Sequence, residues 1–215
     1  RPGGWLRPTS ELLVVSLPLD RTAQGGTRAS FDTTVSVIDP ANPQAWALRR
    51  IVATLPGGGW FAGGVSPDGT QAAFAQYRSA NESSVWLLNL KTGERKQVLP
   101  KSNDSSKAAY LPAGFSPDGK RLNFVSDNAS EFREAMSLDL ASGQVQRISA
   151  HIPWDVSGGA ASEDGRWLAV QANVDGREEL RLFDGATLAE MSAPQLPAGS
   201  IGAMRAKPAK RLKKS

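Results

Sequence analysis

The sequence predicts an all-β fold built from a repeating unit of four short antiparallel strands. Two short motifs recur with nearly the same period of 45 to 50 residues, and an apolar run of strand length accompanies each copy. Helical periodicity is absent along the chain, and no apolar run approaches the length of about 18 residues that a membrane span needs.

The first repeated element is a tight turn followed by a strand. Copies lie at Val65–Gly69, Phe115–Gly119 and, in weaker form, Ala161–Gly165, and apolar runs follow from Gln71, Arg121 and Arg166. Proline presets φ at the second position of such a turn, and glycine accepts the positive φ that is needed later. The aspartate can accept hydrogen bonds from the backbone of its own turn, so each copy predicts a hairpin.

The second repeated element is an apolar strand that ends in Asn or Asp and leads into a turn with glycine. The Asn or Asp positions are Asp39, Asn89, Asp139 and Asp184, with spacings of 50, 50 and 45 residues. A glycine turn between two alternating runs closes another hairpin. Four short antiparallel strands in every 45 to 50 residues is the period of a β-propeller blade.

We therefore predict a partial β-propeller over residues 1–204, with about four four-stranded antiparallel blades. The blades run approximately over residues 5–54, 59–99, 113–149 and 158–193, and a fifth begins at 199. Since a fifth unit begins, we expect an incomplete arc of a larger ring of seven or eight blades. The basic tail 205–215 is expected to be a corrupted or truncated blade.

Charge and composition exclude several classes of function. Six of the 25 basic residues lie in the tail, and the remaining 19 face 21 acidic residues, so no basic face for nucleic acid is predicted. The chain has no cysteine and a single histidine, His151, so we expect no disulfide, no metal site and no cofactor. No membrane partner is expected. No signal peptide is visible, and the compartment stays open between bacterial cytoplasm and periplasm.

The sequence predicts no catalytic residue in this chain. The nucleophile elbow of a serine hydrolase is G-x-S-x-G between a strand and a helix. Ser66 and Ser116 follow Gly-x but precede Pro-Asp, and both lie in the repeated turn between two strands. The repeat explains both serines without catalysis.

Irregular polar loops are the better candidates for binding. The loops 78–83 and 126–133 join second and third strands, and they share one end of the strands with the connections 55–60, 100–111 and 150–156. Binding and catalytic residues of proteins concentrate on such loops. The alternatives are solvated loops and, for the tryptophans, packing inside the blades. The candidate binding residues are Trp60, Glu82, Glu131, Arg133, Trp154 and Asp155.

At these residues the chain resembles a known family. Pro117–Leu122 and Leu138–Gly143 are similar to the TolB-type propeller repeat. The segments 57–60, 79–83, 126–132 and 151–156, with 173–176 and 196–199, resemble the propeller of bacterial prolyl oligopeptidase-family serine peptidases, of the dipeptidyl and acylaminoacyl peptidase type. The similarity covers residues 33–204.

This resemblance implies a function for the domain. In that family the propeller caps an α/β-hydrolase domain of the same chain and limits entry to oligopeptides, and the catalytic residues lie in the hydrolase domain. The chain is then a non-catalytic propeller that gates substrate access, with the hydrolase domain and peptide substrates as its partners. The alternative is a stand-alone TolB-like propeller that serves as a scaffold for a protein partner.

Overall fold

The fold is composed of β-strands and the turns between them. The computed structural model describes residues 1–17, 31–101, 107–197 and 199–202, and these residues include no helix that could cross a membrane. Sixteen strands form four sheets, each with four antiparallel strands in chain order: β1–β4, β5–β8, β9–β12 and β13–β16. The prediction of an all-β propeller with four-stranded blades is confirmed. The predicted tail 205–215 lies outside the described residues.

The chain divides into two compact units, of which the first is Arg1–Phe115. Its first strand begins at Pro2, three residues before the predicted start of the first blade. The strands of this unit are β1 (Pro2–Leu6), β2 (Glu11–Ser16), β3 (Thr33–Ile38), β4 (Arg50–Leu55), β5 (Trp60–Val65), β6 (Gln71–Ser79), β7 (Glu82–Asn89), β8 (Arg95–Leu99) and β9 (Tyr110–Phe115).

The second unit is Ser116–Ser215. Its strands are β10 (Arg121–Ser126), β11 (Glu134–Asp139), β12 (Val145–Arg147), β13 (Val156–Ala161), β14 (Trp167–Val174), β15 (Arg177–Asp184) and β16 (Glu190–Met191). Residues 199–202, where the sequence predicts the start of a fifth blade, form no strand.

Each unit has a hydrophobic core that forms between the faces of its sheets. In the first unit Leu13, Val35 and Leu55 of the first sheet pack with Phe74 and Leu88 of the second. In the second unit the alternate residues Leu168, Val170 and Ala172 of β14 and Phe183 of β15 pack with apolar residues that include Val125, Ile148 and Ile152. Alternate residues along β14 thus give its sheet an apolar face toward this core.

One end of the sheets, which we call the turn end, repeats the same hydrogen bonds. Its first turns are 66–70, 116–120 and 162–166, and its second turns are 89–94, 139–144 and 184–189. In the first turns Ser66, Ser116 and Ser162 each donate a hydroxyl hydrogen bond to the Asp two residues later, at 2.6 Å. In the second turns Asn89, Asp139 and Asp184 accept hydrogen bonds from the backbone N–H groups two and three residues later. The predicted turn chemistry is confirmed.

Candidate functional site

The opposite end of the sheets, the loop end, carries the candidate binding residues. It comprises the connections between second and third strands and the segments that lead into first strands. The segments are 80–81, 127–133 and 175–176, with 56–59 and 148–155.

In the second unit, Asp155 fastens three segments of the loop end together. Its carboxylate accepts a hydrogen bond from the N–H of Arg133 (2.9 Å), and its carbonyl accepts one from the N–H of Asn173 (2.8 Å). The N–H of Val156 donates to the carbonyl of Arg133 (2.9 Å). Loop 127–133, the segment before β13 and the end of β14 therefore hold one another in place.

This arrangement brings several of the predicted residues together. Arg133 and Asp155 are bonded directly, Trp154 precedes Asp155, and Glu131 lies two residues before Arg133. The side chains of Glu131 and Arg133 are exposed, and Trp154 keeps 37% of its surface accessible. An exposed tryptophan beside an arginine and carboxylates can pack on an apolar group and bind a charged one.

An ion pair between a buried carboxylate and a partly exposed guanidinium anchors the same loop where it enters β11. Glu134, the first residue of β11, is 2% exposed and accepts two hydrogen bonds from the Arg147 guanidinium, at 2.7 and 2.5 Å. These bonds lower the pKa of Glu134 from its ordinary value, although burial acts in the opposite direction. The sequence analysis did not identify this pair. Its members lie 13 residues apart, on strands whose register cannot be read from the chain.

The first unit presents Trp60 and Glu82 differently. Trp60 is buried, its indole N–H donates to the carbonyl of Pro56 (3.0 Å), and its ring meets the edge of Trp86 at 5.8 Å between centroids. Glu82 lies at the surface and forms an ion pair with Arg78 (2.9 Å). Trp60 therefore supports the fold from within, whereas Glu82 remains accessible.

A second feature of the first unit was not predicted from the sequence. Phe61 and Tyr77 lie on neighbouring strands and are 41% and 36% exposed. Their rings meet edge to face, with 6.4 Å between the ring centroids. Phe61 also lines a cleft of about 550 Å³, whose other residues include Trp60, Val15 and Leu17. Phe61 is the one large apolar residue among the small ones of 61–64, and that contrast is the signal that could have identified it.

Ser66, Ser116 and His151 all take part in contacts within the fold. The hydroxyl groups of Ser66 and Ser116 hydrogen-bond to Asp68 and Asp118 within their turns. His151 contacts Glu190 and packs edge-on to Phe183, 6.2 Å between centroids. No group of three or more His, Cys, Asp or Glu side chains among the described residues could hold a metal ion.

Comparison with known proteins identifies relatives of this chain. The sequence matches no protein-family model. It is 30% identical over 173 residues to the uncharacterized protein YidR of Escherichia coli K12, covering 74% of this chain and 38% of YidR. It is 26% identical over 120 residues to the uncharacterized peptidase YuxL of Bacillus subtilis 168, covering 54% of this chain and 17% of YuxL. The chain thus spans less than two fifths of the curated relatives it matches.

Solved structures show the same fold. A prolyl endopeptidase matches 93% of this chain with a TM-score of 0.69 and 15% identity, over 28% of its own length. TolB from Acinetobacter baumannii matches 86% of this chain with a TM-score of 0.60 and 19% identity, over 41% of its own length. Prolyl oligopeptidase B from Galerina marginata matches 88% with a TM-score of 0.63 and 14% identity, over 26% of its length. The chain therefore has a β-propeller fold, similar to that of TolB and of the propeller domains of prolyl oligopeptidases.

Proposed function

We propose that this chain is the non-catalytic propeller domain of a serine peptidase that acts on oligopeptides. In this proposal an α/β-hydrolase domain of the same protein supplies the catalytic residues. The propeller docks to that domain through its loop end and limits entry to peptides. The observation that carries the proposal is the fold match over 93% of the chain to a prolyl endopeptidase that is more than three times as long.

The loop end supports the proposed docking role by its construction. A surface that meets another domain needs exposed side chains on a backbone that holds its shape. The bonds of Asp155 and the Glu134–Arg147 pair hold the backbone of the second unit, while Trp154, Glu131 and Arg133 remain exposed. In the first unit, Phe61 and Tyr77 offer an apolar contact and Glu82 a charged one.

A fluorophosphonate probe tests the proposal on the complete protein that contains this chain. We expect stoichiometric labelling of one serine outside residues 1–215, and loss of peptide hydrolysis when that serine is replaced. Ser66 and Ser116 provide the internal control, because both should remain unlabelled. Labelling of either, or hydrolysis that survives with no labelled serine elsewhere, would contradict the proposal.

A second function is favoured by the match to TolB, with a TM-score of 0.60. A stand-alone propeller would act as a scaffold that binds a protein partner through the loop end. The same labelling experiment separates the two functions, because a scaffold reacts with no probe and hydrolyses no peptide.

A further inference from the structure

Aspartate followed by glycine occurs five times in this chain, and four of the pairs lie at the turn end. Those four are 68–69, 118–119, 164–165 and 184–185, whereas the fifth, Asp175-Gly176, connects β14 and β15 at the loop end. In such a pair the glycine nitrogen can attack the side-chain carbon Cγ of the aspartate, because glycine has no Cβ to obstruct the approach. The local fold decides whether the two atoms can meet.

The four aspartates of the turn end are held away from this reaction by hydrogen bonds. Each carboxylate accepts at least two, from the N–H of the residue two positions later and from a serine or threonine hydroxyl. These bonds lower the pKa of all four carboxyl groups, chiefly through the serine hydroxyl in the first three and the Thr187 N–H in Asp184. The carboxylates are therefore fixed and charged, whereas the reaction needs a side chain that rotates and a protonated carboxyl group.

Asp175 differs from these four in its surroundings. Its side chain is exposed and accepts no hydrogen bond from any residue that the structure describes. The N–H of Gly176 donates to the side-chain oxygen of Asn173 (3.1 Å), whereas the glycine N–H groups of the other four pairs donate to backbone carbonyls. Apart from the two chain neighbours of Gly176, no described atom lies within 4 Å of the position that a Cβ on it would take. A ring therefore has room to form at this turn.

The backbone of this turn is also constrained. Asp175 and Gly176 are the two residues between Val174 and Arg177, which face each other in the ladder, and their φ angles are +49° and +78°. Two successive positive φ angles are typical of a type I′ turn. A positive φ is unfavourable for a residue with a Cβ, and among the five aspartates only Asp175 has one. A reaction that lengthens the main chain here lets the turn relax.

We propose that Asp175-Gly176 is a site of spontaneous covalent modification, at which the folded protein converts aspartate into isoaspartate. The Gly176 nitrogen forms a bond to Cγ of Asp175, the Cγ–OH bond breaks, and the hydroxyl leaves as water with the proton of the N–H. Water then adds to the α-carbonyl carbon of the resulting cyclic imide, and the bond from that carbon to the Gly176 nitrogen breaks. The main chain now runs through Cβ and Cγ, and the α-carboxylate becomes the side group. No oxidant or reductant takes part, and the mass is unchanged.

The product alters the loop end of the second unit. Its main chain has one more carbon atom in the turn, and the turn fixes the register of the two strands that it joins. The N–H of Asn173, two residues before the site, donates to the carbonyl of Asp155. Isomerisation therefore acts next to the segment that Asp155 holds. The site does not depend on the proposed peptidase function.

Ageing of the full 215-residue chain at neutral pH tests this proposal, with the four turn-end pairs as internal controls. After digestion, each isoaspartyl peptide is separated by chromatography from the aspartyl peptide of equal mass. We expect isoaspartate to accumulate at Asp175 at least about tenfold faster than at the other four aspartates, because their carboxylates must first lose two hydrogen bonds. Equal rates at Asp175 and Asp118, or no isoaspartate at Asp175, would overturn the proposal.

The same measurement in concentrated urea shows whether the fold causes the difference. All five aspartates precede glycine, so their rates should converge once the chain is unfolded. A tenfold preference for Asp175 that persists in urea would mean that the folded turn is not its cause, and would contradict the proposal.

Two variants test the chemistry at single sites. Asp175→Glu keeps the charge but moves the carboxyl carbon one bond further away, and it should abolish the modification at this turn. Ser116→Ala removes the hydroxyl that donates to Asp118, and it should speed isomerisation at Asp118 several-fold while the rate at Asp175 stays the same. An unchanged rate at Asp118 would contradict the protection by hydrogen bonds on which the selectivity rests.

Discussion

The two ends of the sheets are built on opposite plans. At the turn end, three sheets use the same atoms for the same purpose, and the Ser–Asp hydrogen bond is 2.6 Å in each copy. At the loop end a backbone hydrogen bond from the second strand to the residue before the first strand recurs in three sheets, but the side-chain contacts differ from sheet to sheet. A surface ion pair joins Arg78 and Glu82 in one sheet, whereas the carboxylate of Asp155 bridges two segments in the second unit.

This difference separates the scaffold from the surface that carries function. A hydrogen bond that recurs in three of the four sheets serves a purpose that those sheets share, which is to close a hairpin. A bond that occurs once holds one particular loop in one particular shape. We therefore expect partner and substrate contacts at the loop end, where the side-chain contacts differ from sheet to sheet.

The largest expected effect is at the anchor of the loop end. Arg147→Ala leaves the carboxylate of Glu134 buried without its charged partner, and we expect a loss of about 3 kcal/mol in the free energy of unfolding at neutral pH. Glu134→Gln is the control and should cost less, because the Arg147 side chain is 45% exposed and can be solvated. Urea denaturation measures both values.

The loss in Arg147→Ala should depend on pH. Without the guanidinium, burial raises the pKa of Glu134, and protonation then removes the buried charge. The difference from the unmodified chain should therefore shrink as the pH falls. Equal destabilisation by Arg147→Ala and Glu134→Gln at all pH values would show that the pair is not the anchor.

A pair of glycines compares the two ends directly. A Cβ on Gly185, at the turn end, would clash with the carbonyl oxygen of Gly165. The turns that contain Gly165 and Gly185 are in backbone contact, so an added Cβ must push them apart. Gly185→Ala should therefore lower the free energy of unfolding by about 2 kcal/mol. Gly176, at the loop end, has open space around it but a φ of +78°, so Gly176→Ala should cost about 1 kcal/mol from backbone strain alone.

Gly158→Ala completes this comparison, because Gly158 has neither a close neighbour nor a positive φ. It should leave the midpoint of thermal unfolding almost unchanged. If Gly185→Ala destabilises the chain no more than Gly176→Ala does, the two turns are not tightly packed.

A smaller effect is expected at the repeated Ser–Asp turn. Ser116→Ala removes a hydroxyl that donates to Asp118 and accepts from the N–H of Arg121, and it should cost about 1 kcal/mol at neutral pH. The same hydroxyl lowers the pKa of Asp118. Its contribution is complete above the unfolded-state pKa and is lost as the pH falls through the folded-state value. The two chains should therefore converge in stability at acid pH, and a constant difference would contradict this role.

The sequence also predicted the structure of the turn end better than that of the loop end. The turn end was predictable because Pro, Asp and Gly act on their own backbone, within the five residues of Ser66–Thr70. One exception is the second turn of the fourth sheet, where Leu188 has a φ of 60° at the position that Gly93 and Gly143 occupy in the second and third sheets. Burial of Leu188 in the core of the second unit accompanies this conformation.

The position of the loop end was predicted from the sequence, but its tertiary contacts were not. Irregular composition located the loops and six candidate residues. It did not show that Trp60 lies inside or that Glu134 pairs with Arg147, because each depends on strand register or on contacts between distant residues. Local chemistry can be read from neighbouring residues, whereas tertiary contacts cannot.

The most direct test of the functional division compares two substitutions in the complete protein that contains this chain. Asp155→Ala removes the carboxylate that holds the Arg133 backbone at the loop end. Asp164→Ala removes a carboxylate from a hairpin turn at the turn end. For each variant, the rate of hydrolysis of a ten-residue peptide is divided by the rate for a small chromogenic ester. We predict that Asp155→Ala changes this ratio several-fold, whereas Asp164→Ala leaves it at the value of the unmodified protein. An unchanged ratio in Asp155→Ala, or an equal change in both variants, would contradict the assignment of the loop end as the surface that controls access.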